Sequence, residues 1–153
     1  MFSQTVGGQE NVYLELFTLI IADNDLQQLT HNSVWDLYPV WSSDDTQVAF
    51  LSWRGETLDI YLMALDGTDQ RVLHDSGTHD ADIHWVGDQI VFTAFSQIWI
   101  VNGDGTGARQ LTDPPRAGEW GKITLKKPDL NISRLAEPLV HHSRAEQLVA
   151  VAS

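Results

Sequence analysis

Residues 79–84 read His-Asp-Ala-Asp-Ile-His, which gathers four groups able to do chemistry within six residues of the 153-residue chain. His79, Asp80, Asp82 and His84 offer two imidazoles and two carboxylates, the donor types of a divalent-metal or polar-ligand site. Asp66-Gly67 and Asp104-Gly105 could suggest calcium, yet no Asp-rich loop with a closing Glu follows either pair. Nucleophilic catalysis has less to stand on. There is no Gly-x-Ser-x-Gly elbow, and His141-His142 beside Ser143 is adjacency rather than a triad. The run from Gly103 to Gly107 lies between two predicted strands and opens no helix, so it reads as a turn and not a phosphate loop. Catalytic residues, metal and cofactor are therefore all expected to be absent.

Contact chemistry is better represented. Trp53 and Arg54 fall in a Ser-Trp-Arg-Gly-Glu turn between two predicted strands, where folding has no need of apolar bulk. Trp and Arg are the side chains most enriched at interface hot spots. Two readings stay open for Trp53: a contact residue, or packing across the neighbouring hairpin. Trp35, in a linking loop, is a second candidate of the same kind.

The elements that must hold these residues are written most clearly in residues 38–74. Four short apolar runs are separated there by turn chemistry: a brief strand at 39–41, Gln47 to Ser52, Leu58 to Ala64, and a return strand at 70–73 after Asp66-Gly67. The neighbours are copies. Residues 15–30 align without a gap on 59–74 at an offset of 44, with Glu15 on Asp59 and Phe17 on Tyr61, and Trp41 falls on Trp85. Residues 98–112 align on 60–74 at an offset of 38, and the shortening comes out of turns. A repeat of about 40–45 residues carrying four strands is the period of a β-propeller blade. On this alignment Asp80 matches Asp36, Asp82 matches Tyr38 and His84 matches Val40. The His-Asp-x-Asp-x-His run then reads as the loop entering a blade's first strand, with a ligand site as the rival reading. Trp41, Trp85 and Trp99 read as blade-to-blade core.

At these residues the chain resembles the TolB-like, WD40-like propeller repeat. YPVWSSDDTQVAF, LDIYLMALDGTDQRVL and IWIVNGDGTGARQLT follow a pattern close to P-x-W-S-P-D-G-x-x-I-A-F and I-Y-x-M-x-x-D-G-x-x-x-R-x-L-T, with Ser43 and Asp45 replacing the Pro and Gly of the first turn. The resemblance implies an all-β, partial β-propeller of four-stranded antiparallel blades: residues 38–74 and 82–112 complete, and a first blade over 12–30 with two recognisable strands. Residues 1–115 form the repeat region. It also implies a non-enzymatic protein-binding role at the cell envelope, with a periplasmic or extracellular location. The same resemblance leaves two other functions open: the substrate-gating propeller of a serine peptidase whose catalytic domain lies elsewhere, and a sugar- or small-ligand-binding propeller.

Composition narrows the partners. A net charge of −12 argues against nucleic acid or an anionic membrane surface. No apolar stretch approaches the ~20 residues that span a bilayer. The N-terminus does not read as a signal peptide, and without cysteine the compartment cannot be inferred from redox chemistry. A protein partner is expected, and open blade edges also invite self-association. Residues 116–153 read as a diverged tail with a different charge balance. Ser143-Arg144-Ala145-Glu146 has capping-box spacing ahead of Leu-Val-Ala-Val-Ala, which suggests a short helix over 144–152.

Overall fold

A computed structural model describes residues 1–8, 11–114 and 124–125. Strands β1 (Phe2–Gly8), β2 (Asn11–Ile20) and β3 (Asp25–Gln28) make the first sheet. β4 (Asp36–Trp41), β5 (Gln47–Ser52), β6 (Asp59–Ala64) and β7 (Arg71–His74) make the second. β8 (Ala81–Val86), β9 (Gln89–Ala94), β10 (Gln97–Asn102) and β11 (Arg109–Gln110) make the third. All pairs are antiparallel and consecutive. A two-residue strand β12 (Thr112–Asp113) pairs with β13 (Thr124–Leu125). These are three propeller blades, the second and third four-stranded. The helix expected over 144–152, and most of the tail over 116–153, lie outside the described residues.

The middle blade shows why the stack holds. Val48 and Phe50 of β5, with Met63 of β6, pack against Leu16 and Leu29 of the first blade. From the other face Ala49, Leu51, Ile60 and Leu62 pack against Ile90, Phe92 and Val101 of the third. A sheet covered on both faces has no solvent side, so β5 is buried along almost its whole length rather than alternating in and out.

The two Asp-Gly turns have identical internal chemistry. Asp66 accepts the amide and hydroxyl of Thr68 (3.0 and 2.6 Å), and Asp104 those of Thr106 (2.8 and 2.6 Å). Each Thr hydroxyl holds its aspartate below the usual carboxylate range. The glycines also join blades. A Cβ on Gly67 (φ +83°) would stand 2.5 Å from the carbonyl oxygen of Leu29, and one on Gly105 (φ +86°) would stand 2.9 Å from that of Leu73. The turn between β4 and β5 reaches a left-handed corner without glycine, because Asp45 adopts φ +55° there. Asp44 ties the corner by accepting from the hydroxyls of Ser42 and Thr46 (2.7 and 2.8 Å).

Three features depart from the sequence expectations. The first blade has three strands, because residues 2–8 pair with β2 through seven registered residues despite lacking a period-two pattern. The inner strands β4 and β8 are each bulged, between Leu37 and Val40 and between Ala81 and His84, with Tyr38 (φ +53°) and Asp82 (φ +51°) at matching left-handed positions. Trp41 is exposed rather than core. Its counterpart Trp85 packs over Gly103, whereas the position equivalent to Gly103 in the second blade is Leu65, whose side chain removes that flat seat. Trp85 and Trp99 are partly buried against the core, as expected.

Candidate functional site

Consecutive antiparallel strands put the β5–β6 turn and the β3–β4 and β7–β8 links at one end of the blades. Trp53, Trp35 and His79 therefore meet there although 18 and 26 residues separate them along the chain. The Trp53 amide donates to the Trp35 carbonyl (2.9 Å). The two indoles meet edge to face with ring centroids 6.1 Å apart, and His79 packs on Trp53 at 4.9 Å. Trp35 Nε1 donates to the Val12 carbonyl (3.2 Å), and a parallel bridge joins Leu14 to Trp35, so this shelf spans the first and second blades. His79 Nδ1 accepts the Leu58 amide (3.0 Å), which assigns the ring proton to Nε2. Beside the shelf lies an open hollow of about 330 Å³ lined by Val12, Tyr13, Ser33, Val34, Trp35 and Trp53. Trp35 is 46% exposed and Trp53 37%.

Arg54 turns inward. Its guanidinium reaches Asp36 (3.1 Å) and the Gln70 side-chain oxygen, and lies over the Phe50 and Tyr61 rings at 5.6 and 4.9 Å. Asp36 is fully buried and also accepts from Asn32 Nδ2 (2.6 Å) and the Ser52 hydroxyl. Arg54 is therefore part of the seam between blades, beneath the shelf.

The His-Asp-x-Asp-x-His run is dispersed. His79 joins the tryptophans. Asp80 is fully buried, and neither of its carboxylate oxygens has a hydrogen bond of ordinary geometry. Asp82 and His84 are exposed beside Tyr38 in a shallow hollow between β4 and β8, with Asp82 accepting from the Thr93 hydroxyl (3.1 Å). No group of three or more His, Asp or Glu side chains among the described residues is placed to hold a metal ion. Nearby, burial raises the pKa of Asp59 although the Thr57 hydroxyl donates to it, and burial lowers that of His74. Sequence reasoning missed Val12, Tyr13 and Val34 as walls of the hollow. It also missed Asp36 as the anchor of Arg54, though its match to Asp80 was a usable signal.

No family model matches the sequence. A Tol-Pal system protein TolB from Desulfosudis oleivorans is 33% identical over 92 residues, 56% of this chain and 21% of that protein. An uncharacterized protein of Agrobacterium fabrum is 31% identical over 86 residues, 52% of this chain and 29% of that protein. The chain thus spans less than a third of the length of either curated relative. Among solved structures, one assigned as TolB from Agrobacterium tumefaciens superposes with TM-score 0.61 at 20% identity, covering 71% of this chain and 44% of that one. The tricorn protease (TM-score 0.56, 18% identity, 65% and 10% covered) and a manganese-bound oligogalacturonate lyase (0.56, 21%, 69% and 32%) share the architecture. Below 25% identity these likenesses speak to the fold alone, and proteins of that fold differ widely in what they do. In sequence and in fold, this chain is related to the TolB-like β-propellers.

Proposed function

We propose that the chain is a non-catalytic protein-binding module, acting at the cell envelope, whose contact surface is the Trp35–Trp53–His79 shelf. The observation that carries this is the convergence of three solvent-facing aromatic rings from separate turns, beside an apolar hollow whose backbone is held by the Trp53–Trp35 and Trp35–Val12 hydrogen bonds. Rigid aromatic side chains give large contact area for little lost entropy. The similarity to a Tol-Pal system protein supports the envelope setting. The hollow's walls favour a peptide or protein over a sugar. Ser33 and Tyr13 are the only side chains there besides the indole N–H that could address hydroxyls, and sugar sites need several such groups.

A photo-crosslinking residue placed at Ser33, beside the shelf, is expected to give a discrete protein adduct in cells, whereas one at Thr46, at the far end of the blades, gives none. For the partner so identified, Trp53→Ala should weaken binding by about 2 kcal/mol or more, roughly thirtyfold, with little change in the protein's own unfolding. Equal crosslinking from both ends, or unchanged affinity in Trp53→Ala, would remove the shelf from consideration.

A further inference from the structure

The repeat poses the same chemical question twice and answers it differently. In the second blade the buried carboxylate of Asp36 receives Asn32 Nδ2, the Ser52 hydroxyl and the Arg54 guanidinium. In the third blade Asp80 takes the same place at the start of the inner strand, and its amide donates to the Leu58 carbonyl (2.8 Å) of the blade before. Two of the three equivalent donors are gone and the third is shortened. Register puts Ala94 where Ser52 stands, since Ala94 pairs with Gln97 as Ser52 pairs with Asp59. The six-residue turn 53–58 that carries Arg54 is reduced to Phe95-Ser96, both left-handed, as a two-residue hairpin requires. Ser76 replaces Asn32. Asp80 is left fully buried, with neither oxygen in a hydrogen bond of ordinary geometry.

We propose that the joint between the second and third blades is proton-operated, held shut while Asp80 carries a proton and loosened when it ionises. The groups around it leave it no cation. Burial pushes Asp80 up to about 7; the Ser76 hydroxyl and the Ile60 amide, near it but outside ordinary hydrogen-bond geometry, offset this in part, while Asp59 on β6 and Asp75 after β7 also disfavour its charge. His74, whose ring packs on Phe92 at 5.0 Å in the same seam, has its pKa lowered by burial and its Nε2 without a hydrogen-bond partner. His79 faces outward onto Trp53, and Ala94 and Ser96 are uncharged.

The sign follows from linkage. A carboxyl with a folded pKa above its open-state value favours the closed form fully below about pH 4 and loses that advantage as pH rises through its folded value near 7. The opening constant should rise by up to tenfold per pH unit between pH 5 and 7, as one proton dictates, and level off above that.

The test is hydrogen exchange, corrected for intrinsic rates, at two amides: Asp80, bonded to Leu58 across this seam, and Trp53, bonded to Trp35 beside the donor-satisfied carboxylate. The expected result is pH-dependent opening at Asp80 and a flat profile at Trp53. Asp80→Asn should flatten the Asp80 profile. Ala94→Ser, which restores the missing hydroxyl and leaves the carboxylate, should reduce its amplitude by at least threefold. A flat Asp80 amide in the unaltered protein overturns the proposal. So does equal pH dependence at both amides, or a profile that Ala94→Ser leaves unchanged; the serine variant decides the matter even if Asp80→Asn folds poorly.

Discussion

Asp36→Ala is expected to lower the free energy of unfolding by about 3–5 kcal/mol, the usual result of removing one member of a buried ion pair. Asp36 is wholly inside, and three donors from the β3–β4 link, β5 and the β5–β6 turn end on it. Without it the Arg54 guanidinium remains pressed over Phe50 and Tyr61 with only Gln70 to meet it, and the Ser52 hydroxyl is buried with no acceptor. Asp36→Asn, which keeps the volume and one acceptor oxygen, should be less damaging. The double variant Asp36→Ala/Arg54→Ala should lose less than the sum of the two single changes, by about 1–3 kcal/mol, because the orphaned charge is gone. Urea denaturation followed by tryptophan fluorescence measures all four. An additive double variant would mean that the carboxylate and guanidinium do not depend on each other.

Gly67→Ala should be nearly as damaging, for a different reason, and the chain contains its own control. Gly67 and Gly87 both hold positive φ, +83° and +61°, but a Cβ on Gly87 meets nothing within 4 Å, whereas one on Gly67 meets the Leu29 backbone at 2.5 Å. Gly87→Ala therefore reports backbone strain alone, about 1–2 kcal/mol. Gly67→Ala adds a forced separation of two blades, a further ~1–3 kcal/mol of the kind seen on overpacking. Gly105→Ala, at 2.9 Å from Leu73, should fall between them. If the Gly67 and Gly87 variants unfold at the same denaturant concentration, the close approach between blades has no energetic weight.

Blade architecture was legible because its signals are local and repeated: Asp-Gly turns, apolar runs of strand length, and offsets that survive deletions in turns. What was not legible depends on pairs far apart. Residues 2–8 fell outside the two recognisable strands of the first blade because their strand character comes from pairing with β2 and not from alternation. The exposure of Trp41 turns on Leu65 standing where the third blade has Gly103, a difference that matters only once a ring must lie on that backbone. Trp53 carried two readings at once, contact or packing, and its ring does touch neighbours on both sides while staying open to solvent. Its meeting with Trp35 and His79 follows from which end of a strand pair each link leaves, which needs the topology. Arg54 read as a contact residue beside it, but the side chain is committed to Asp36. Reading residues 79–84 as the loop entering a strand did not anticipate the bulge at Asp82, which leaves Asp82 and His84 exposed in the hollow between β4 and β8 while Asp80 is buried.

The contacts of Gly67 with Leu29 and of Gly105 with Leu73 are main chain against main chain. The cores on either side of the middle blade differ in composition, with Met63 and Phe50 in one and Leu62 and Phe92 in the other. Yet both seams are pinned at the same point by the same bare Cα. The approach of neighbouring blades at these corners is thus limited by the backbone, whatever side chains fill the seam between them. Blades exchanged between positions are expected to keep this spacing, provided that the Asp-Gly corner and the carbonyl it rests on travel together.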